Sequence, residues 1–203
     1  MLCKLFFLSA VLLGLSLSAS AEQPLPRLKL RYGNKVSTLS GEPLIETACR
    51  GVGEFESECI STLQSAPSDQ KANANGLTFF TLRFVMDHAV NLTVDIKKLQ
   101  ISELSPLLQS ALNDCLDQYN PLDDLIEDAT NSVLTNSYSE ARKFIDAAMT
   151  DIDECDSSLK ASNMEEKLEN KTGDDVQLAK NLKEYNVFLK NILSAASNIL
   201  KAN

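Results

Sequence analysis

The chain has 203 residues, with 28 acidic against 19 basic side chains and a formal charge of −9. A hydrophobic share of 44% excludes wholesale disorder, and the length favours one compact domain. The acidic balance argues against nucleic acid and against an anionic membrane surface, because both call for Lys and Arg to displace their counterions; basic partners are favoured.

The first segment reads as a secretory signal rather than as part of the fold. Met1-Leu2-Cys3-Lys4 gives a short positive start, Leu5 to Leu17 is apolar apart from small residues, and Ala19-Ser20-Ala21 offers a small-x-small cleavage pattern. The apolar run is too short to span a bilayer, and no later stretch approaches the about 20 residues that a membrane helix needs. Residues 1–21 are therefore expected to be removed, which gives a secreted product. Residues 22–40 follow as a tail opened by Pro24, Pro26, Arg27, Lys29 and Arg31, and residues 41–203 form the folded domain.

Within that domain, residues 43–64 carry Cys49, Gly51, Gly53 and Cys59. They are too short for a long helix and read as a helical hairpin (41–66) outside a bundle (67–203). From Leu82 onward the series Val85, Ala89, Leu92, Ile96, Leu99 steps by three and four, which defines one apolar stripe on an amphipathic helix. A second stripe runs Leu104, Leu108, Ala111, Cys115, Tyr119, Leu122, Ile126, Ala129, Val133. A third runs Tyr138, Ala141, Ile145, Ala148, Ile152, Cys155, Leu159, and a fourth Leu178, Leu182, Tyr185, Leu189, Ile192, Ala196, Ile199.

Four such helices bury their stripes only against one another. The short links near 101–104 and 134–138 force antiparallel neighbours, so the expected fold is all-α, an up-down-up-down four-helix bundle. Pro121 falls inside the second helix and predicts a kink, because the apolar phase continues through Leu122 and Ile126. A break at Asn120 with Pro121 in the first turn of a new helix is the alternative.

Removal of Cys3 with the signal leaves Cys49, Cys59, Cys115 and Cys155, an even set that reads as two disulfides in a secretory setting. Metal binding is the competing reading, but the spacings are too wide for a zinc clip and only His88 could assist; no metal or other cofactor is expected. Three pairings are formally open. Cys49–Cys59 with Cys115–Cys155 is favoured, since the first closes a local loop and the second pair lies on the stripes of two neighbouring helices.

Enzyme signatures are scarce. There is no Gly-rich phosphate loop, no His-Glu-x-x-His pair and no Gly-x-Ser-x-Gly elbow. His88 is the single histidine and nothing in the sequence marks a partner for it, so it reads as a surface or boundary residue. Two sequons, at Asn91 and Asn170, are candidate glycosylation sites. Asp114, Asp117, Asp124 and Asp128 recur at helical spacing on the second helix. Such a row is either a solvated face of an acidic protein or a docking face for a basic one.

Local words then extend the pattern: Leu44-Ile45-Glu46-Thr47-Ala48-Cys49, Pro67-Ser68 ahead of Ala74-Asn75-Gly76-Leu77, Ala111-Leu112-Asn113-Asp114-Cys115 followed by Tyr119, and Tyr138-Ser139-Glu140-Ala141 leading to Ala147-Ala148-Met149-Thr150 and Cys155. With four cysteines in this order, the chain resembles the plant invertase and pectin methylesterase inhibitor family over about residues 40–200. The resemblance implies a four-helix bundle with an N-terminal helical hairpin, disulfides joining first to second and third to fourth cysteine, no catalysis, and one-to-one complexes with a target enzyme.

The resemblance also bears on the target. Esterase-blocking members present polar helix faces, including acids after the third cysteine, and the matching positions here are Asp117 and Asp124, with Pro121 interrupting the face. Invertase-blocking members carry a Pro-Lys-Phe element near the start of the third helix, where this chain reads Tyr138-Ser139-Glu140; the displaced Arg142-Lys143-Phe144 is no equivalent. Pro67-Ser68 and Asn75-Gly76-Leu77 look closer to the invertase-inhibitor branch. The leading expectation is a secreted inhibitor, monomeric when free, that occludes the cleft of a pectin methylesterase in the apoplast. The alternatives are inhibition of a cell-wall or vacuolar acid invertase, or a non-inhibitory bundle carrying a small apolar ligand.

Overall fold

A computed structural model describes residues 42–100, 104–161 and 173–201. The expected signal peptide, the tail 22–40 and Asn170 lie outside the described residues. Among the described residues the chain is helical throughout and contains no strand. The helices are α1 (Glu42–Cys49), α2 (Glu56–Gln64), α3 (Ser68–Lys71), α4 (Ala74–Leu99), α5 (Pro106–Tyr119), α6 (Leu122–Leu134), α7 (Tyr138–Ala161) and α8 (Gly173–Lys201), with a 3-10 turn at Gly53–Phe55.

Local chemistry sets the helix ends. Asn73 caps α4, its side-chain oxygen accepting from the Gly76 amide at 2.8 Å. Ser105 caps α5 from the residue before Pro106, which needs no amide partner at that position. At the end of α6, Asn136 takes a left-handed φ of 57°, while Ser137 N–H donates to the Ser132 carbonyl (2.8 Å) and Asn136 N–H to Val133 (3.0 Å). This is the Schellman arrangement, and asparagine tolerates its backbone better than most residues. It turns the chain into α7 within three residues.

The expected kink at Pro121 is instead a break. Asn120 and Pro121 both keep right-handed helical backbone angles, but α5 ends at Tyr119 and α6 begins at Leu122. Proline has no N–H to donate back to Asp117, so the ladder lapses at that point. The apolar phase survives because the two joint residues still turn helically. Tyr119, Leu122 and Ile126 are all buried.

Burial follows the four stripes closely. Every stripe residue named from the sequence is buried except Tyr138, which packs half-buried against the same core. Helix α4 packs on α8 and α6, and α7 packs on α5, α6 and α8. Facing residues on α7 and α8 run in opposite order: Asp153 meets Lys190 and Asp156 meets Asn186. The α4 and α8 partners do the same, with Phe84 beside Phe188 and His88 beside Tyr185.

Both disulfides are present, Cys49–Cys59 between α1 and α2 and Cys115–Cys155 between α5 and α7. Gly51 and Gly53, at φ of 81° and 74°, make the tight return between the first pair. The hairpin packs directly against the long helices. Ile45, Ala48, Cys49, Cys59 and Leu63 are buried, α1 packs on α8, and Asn198 donates to the Ala48 carbonyl at 3.0 Å. Two short helices cannot bury their apolar residues against each other alone, so they close over the C-terminal half of α8.

Candidate functional site

The four aspartates singled out in the sequence divide between two helices. Asp114 and Asp117 lie on α5, and Asp124 and Asp128 on α6, across the break at Asn120-Pro121. All four are exposed, and no ion pair or side-chain hydrogen bond is made by any of them among the described residues. Asp123 and Glu127 add two more exposed acids to α6. The face is therefore negative and uncompensated, a surface that can gain Coulomb energy only from an incoming cation.

The start of α7 is built differently. Tyr138 turns its ring onto the core, and its hydroxyl donates to the Asn136 side chain at 2.8 Å. Glu140 pairs with Lys143 at 3.7 Å, and Phe144 packs against the core. Both aromatic rings of this stretch, Tyr138 and Phe144, are held by packing, while Lys143 stays at the surface beside Glu140.

The words near residues 67–77 have a packing role. A methyl group on Gly76 would sit 2.7 Å from the Gln70 carbonyl oxygen, so only glycine lets α3 lie this close to α4. Lys71 closes the same corner by donating to the Gln64 carbonyl at 2.8 Å. These residues fix the approach of α3 and say little about a target.

Sequence reasoning missed a polar core. Tyr119 donates to the Asn186 side-chain oxygen at 2.6 Å, and the Asn186 amide donates to Asp156 (2.6 Å) and towards the Cys155 sulfur (3.2 Å). That accounts for the acceptor and both N–H groups of Asn186, which is 0% exposed. Burial raises the Asp156 pKa from its usual 3.8, opposed by the Asn186 hydrogen bond. Burial, with the neighbouring Tyr185 and Asp156, also lifts the Tyr119 phenol well above its ordinary value. These residues clamp α5, α7 and α8 together beside the Cys115–Cys155 bridge.

His88 also has company that its sequence neighbours did not reveal. Its Nδ1 lies 2.6 Å from the Tyr185 hydroxyl, and its ring lies 4.1 Å from the Phe84 ring and 6.5 Å from that of Phe188. Burial lowers its pKa from 6.5, with Asp87 pulling the other way. The site is an aromatic clamp between α4 and α8, in which a phenol rather than a serine or cysteine nucleophile faces the imidazole nitrogen. Among the described residues no three His, Cys, Asp or Glu side chains gather to hold a metal ion, and no helix is long and apolar enough to cross a membrane. Asn91 is exposed on α4.

A groove of about 430 Å³ lies between α4 and α6. Phe79, Met86, Ile126 and Leu134 make it apolar, with Arg83 and Glu127 also lining it. Leu134 is 63% exposed, so the groove opens to solvent rather than enclosing a ligand.

Against known proteins, the family model described as "Plant invertase/pectin methylesterase inhibitor" matches residues 43–199. The chain belongs to that family. Membership makes it a non-catalytic protein of an inhibitor family whose targets are invertases or pectin methylesterases. A relative from Platanus orientalis, named "Putative invertase inhibitor", is 20% identical over 138 residues, covering 66% of this chain and 81% of that protein. A second, from Platanus acerifolia and named in the same words, is 24% identical over 102 residues, covering 50% of this chain and 57% of its own length. No solved structure matches the chain.

Proposed function

We propose that this member of the family is a secreted inhibitor of a pectin methylesterase, which occludes the enzyme's cleft in a one-to-one complex. The observation that carries the reading is the exposed, uncompensated row Asp114, Asp117, Asp124 and Asp128 on α5 and α6. A basic esterase would be drawn to that row during encounter and held by charge-assisted contacts once docked. The up-down-up-down bundle expected from the sequence goes with this reading, and the opposed residue order across α4–α8 and α7–α8 supports it. Removal of residues 1–21, delivery to the apoplast and glycans at Asn91 and Asn170 belong to the same proposal.

The second reading, inhibition of an acid invertase, is favoured by the names of the two Platanus relatives. Two observations weigh against it: Tyr138 is tied to Asn136 where an inserted element would be needed, and the Gly76 word has a packing cause. A panel of plant pectin methylesterases and acid invertases titrated with the purified protein tests both. Stoichiometric loss of esterase activity is the expected result. Inhibition of invertase alone transfers the function to the second reading, and inhibition of neither removes both. A ligand carrier would co-purify with lipid, and the groove between α4 and α6 is where that lipid would be sought.

A further inference from the structure

The groove between α4 and α6 is not confined to its mouth. Phe79, Arg83, Met86, Val90 and Val94 follow one another by three and four along α4, so they share a face. Val90 and Val94 are 44% and 45% exposed, an apolar strip that continues the groove along the helix. On the other bank, Asp123, Glu127, Thr130 and Leu134 keep the same spacing on α6. The strip is thus apolar along its floor apart from Arg83, which lies 3.8 Å from Asp87 of its own helix, and acidic along its α6 edge. Its charge is not balanced nearby in the sequence, because no Lys, Arg or His occurs between Lys98 and Arg142.

The missing complement is found in the same chain. Residues 22–41 contain Arg27, Lys29, Arg31 and Lys35 against the single acid Glu22. Within them, Arg27-Leu28-Lys29-Leu30-Arg31-Tyr32 alternates basic and apolar residues with a period of two. In an extended segment that alternation puts Leu28, Leu30 and Tyr32 on one side and the three cations on the other, where their long stems can bend back to flanking carboxylates.

Reach is sufficient. Tyr32 to Leu28 precede Glu42 by ten to fourteen residues, a span of up to about 33–50 Å, compared with about 39 Å for the whole length of a 26-residue helix such as α4.

We propose that residues 27–32 occupy the α4–α6 groove of their own chain, apolar side down on Phe79, Met86 and Leu134 and basic side over Asp123, Asp124 and Glu127. Seated there, the segment covers Asp124 and the acids that adjoin Asp128, and competes with any basic protein that approaches α6. The tail then acts as a built-in competitor, displaced when a partner offers more contact.

The free protein tests this without any enzyme. A water-soluble carbodiimide joins a lysine to a carboxylate in contact with it, and peptide mapping of the monomeric fraction should find Lys29 linked to Asp123, Asp124 or Glu127. The link should be lost in Leu28→Asp/Leu30→Asp, whose substitutions precede every described helix, at unchanged helicity. It should also be lost in Leu134→Asp, altered at an exposed position of the groove itself. Raised salt should weaken the link, since exposed charge pairs are screened. Absence of any link to α6, links confined to a covalent dimer, or a link that survives both variants overturns the proposal.

Discussion

The Nδ1 atom of His88 on α4 and the hydroxyl of Tyr185 on α8 lie 2.6 Å apart, within a ring cluster completed by Phe84 and Phe188. This contact joins two of the longest helices at residues 97 positions apart in sequence. It also gives the single histidine of the chain a structural task.

Tyr185→Phe keeps the ring packing and leaves His88 without its partner. The expected cost is about 1 kcal/mol in urea unfolding at neutral pH, the usual net worth of one such bond. A change within error would mean that water replaces the hydroxyl at no cost.

The pH dependence has two opposed contributions. The His88 pKa is lowered in the fold, so its contribution is present above 6.5 and is lost as pH falls through the folded value. The Asp156 pKa is raised, so its contribution is present below 3.8 and is lost as pH rises through the folded value. Unfolding midpoints measured across this range should show His88→Gln flattening the limb just below 6.5 and Asp156→Asn flattening the limb just above 3.8. Curves that coincide with the parent protein would contradict these assignments.

The two disulfides should differ in consequence. Replacing Cys115 and Cys155 by serine opens the longer loop and should cost about 4 kcal/mol, against about 3 for Cys49 and Cys59, by loop entropy. The first loss should loosen the contact of α5 with α7, and hydrogen exchange should rise along both helices. The second should free α1 and α2 while α7 stays protected.

Gly76→Ala places a methyl group against the Gln70 carbonyl and should destabilise the protein by about 1–3 kcal/mol, because backbone has to move. The choice of target enzyme should not change, since the residue sits under α3. An altered preference at equal stability would return this word to the recognition surface.

Charge reversal at Asp117→Lys with Asp124→Lys should weaken esterase inhibition mainly through slower association, with helicity retained. The effect should shrink as salt rises. Equal inhibition by the variant would remove the acidic row from the mechanism.

The sequence by itself determined the helical class and the four apolar stripes, because each depends on residues three or four apart; it favoured the cysteine pairing, which the facing of two helices then decided. The same periodicity that puts Val85 and His88 on or beside one stripe identifies no partner for either on another helix.

Only the tertiary structure decided those partners. The Tyr119–Asn186–Asp156 chain, the seat of His88 against Tyr185, the docking of α1 on α8 and the groove beside Leu134 depend on how each helix is rotated and staggered against its neighbours. Pro121 shows the boundary between the two kinds of information. Its missing N–H foretold an interruption, and the structure shows that the helix breaks there, α5 ending at Tyr119 and α6 starting at Leu122. Rotation and stagger are fixed by all the contacts of the core at once, so no local stretch of sequence carries them.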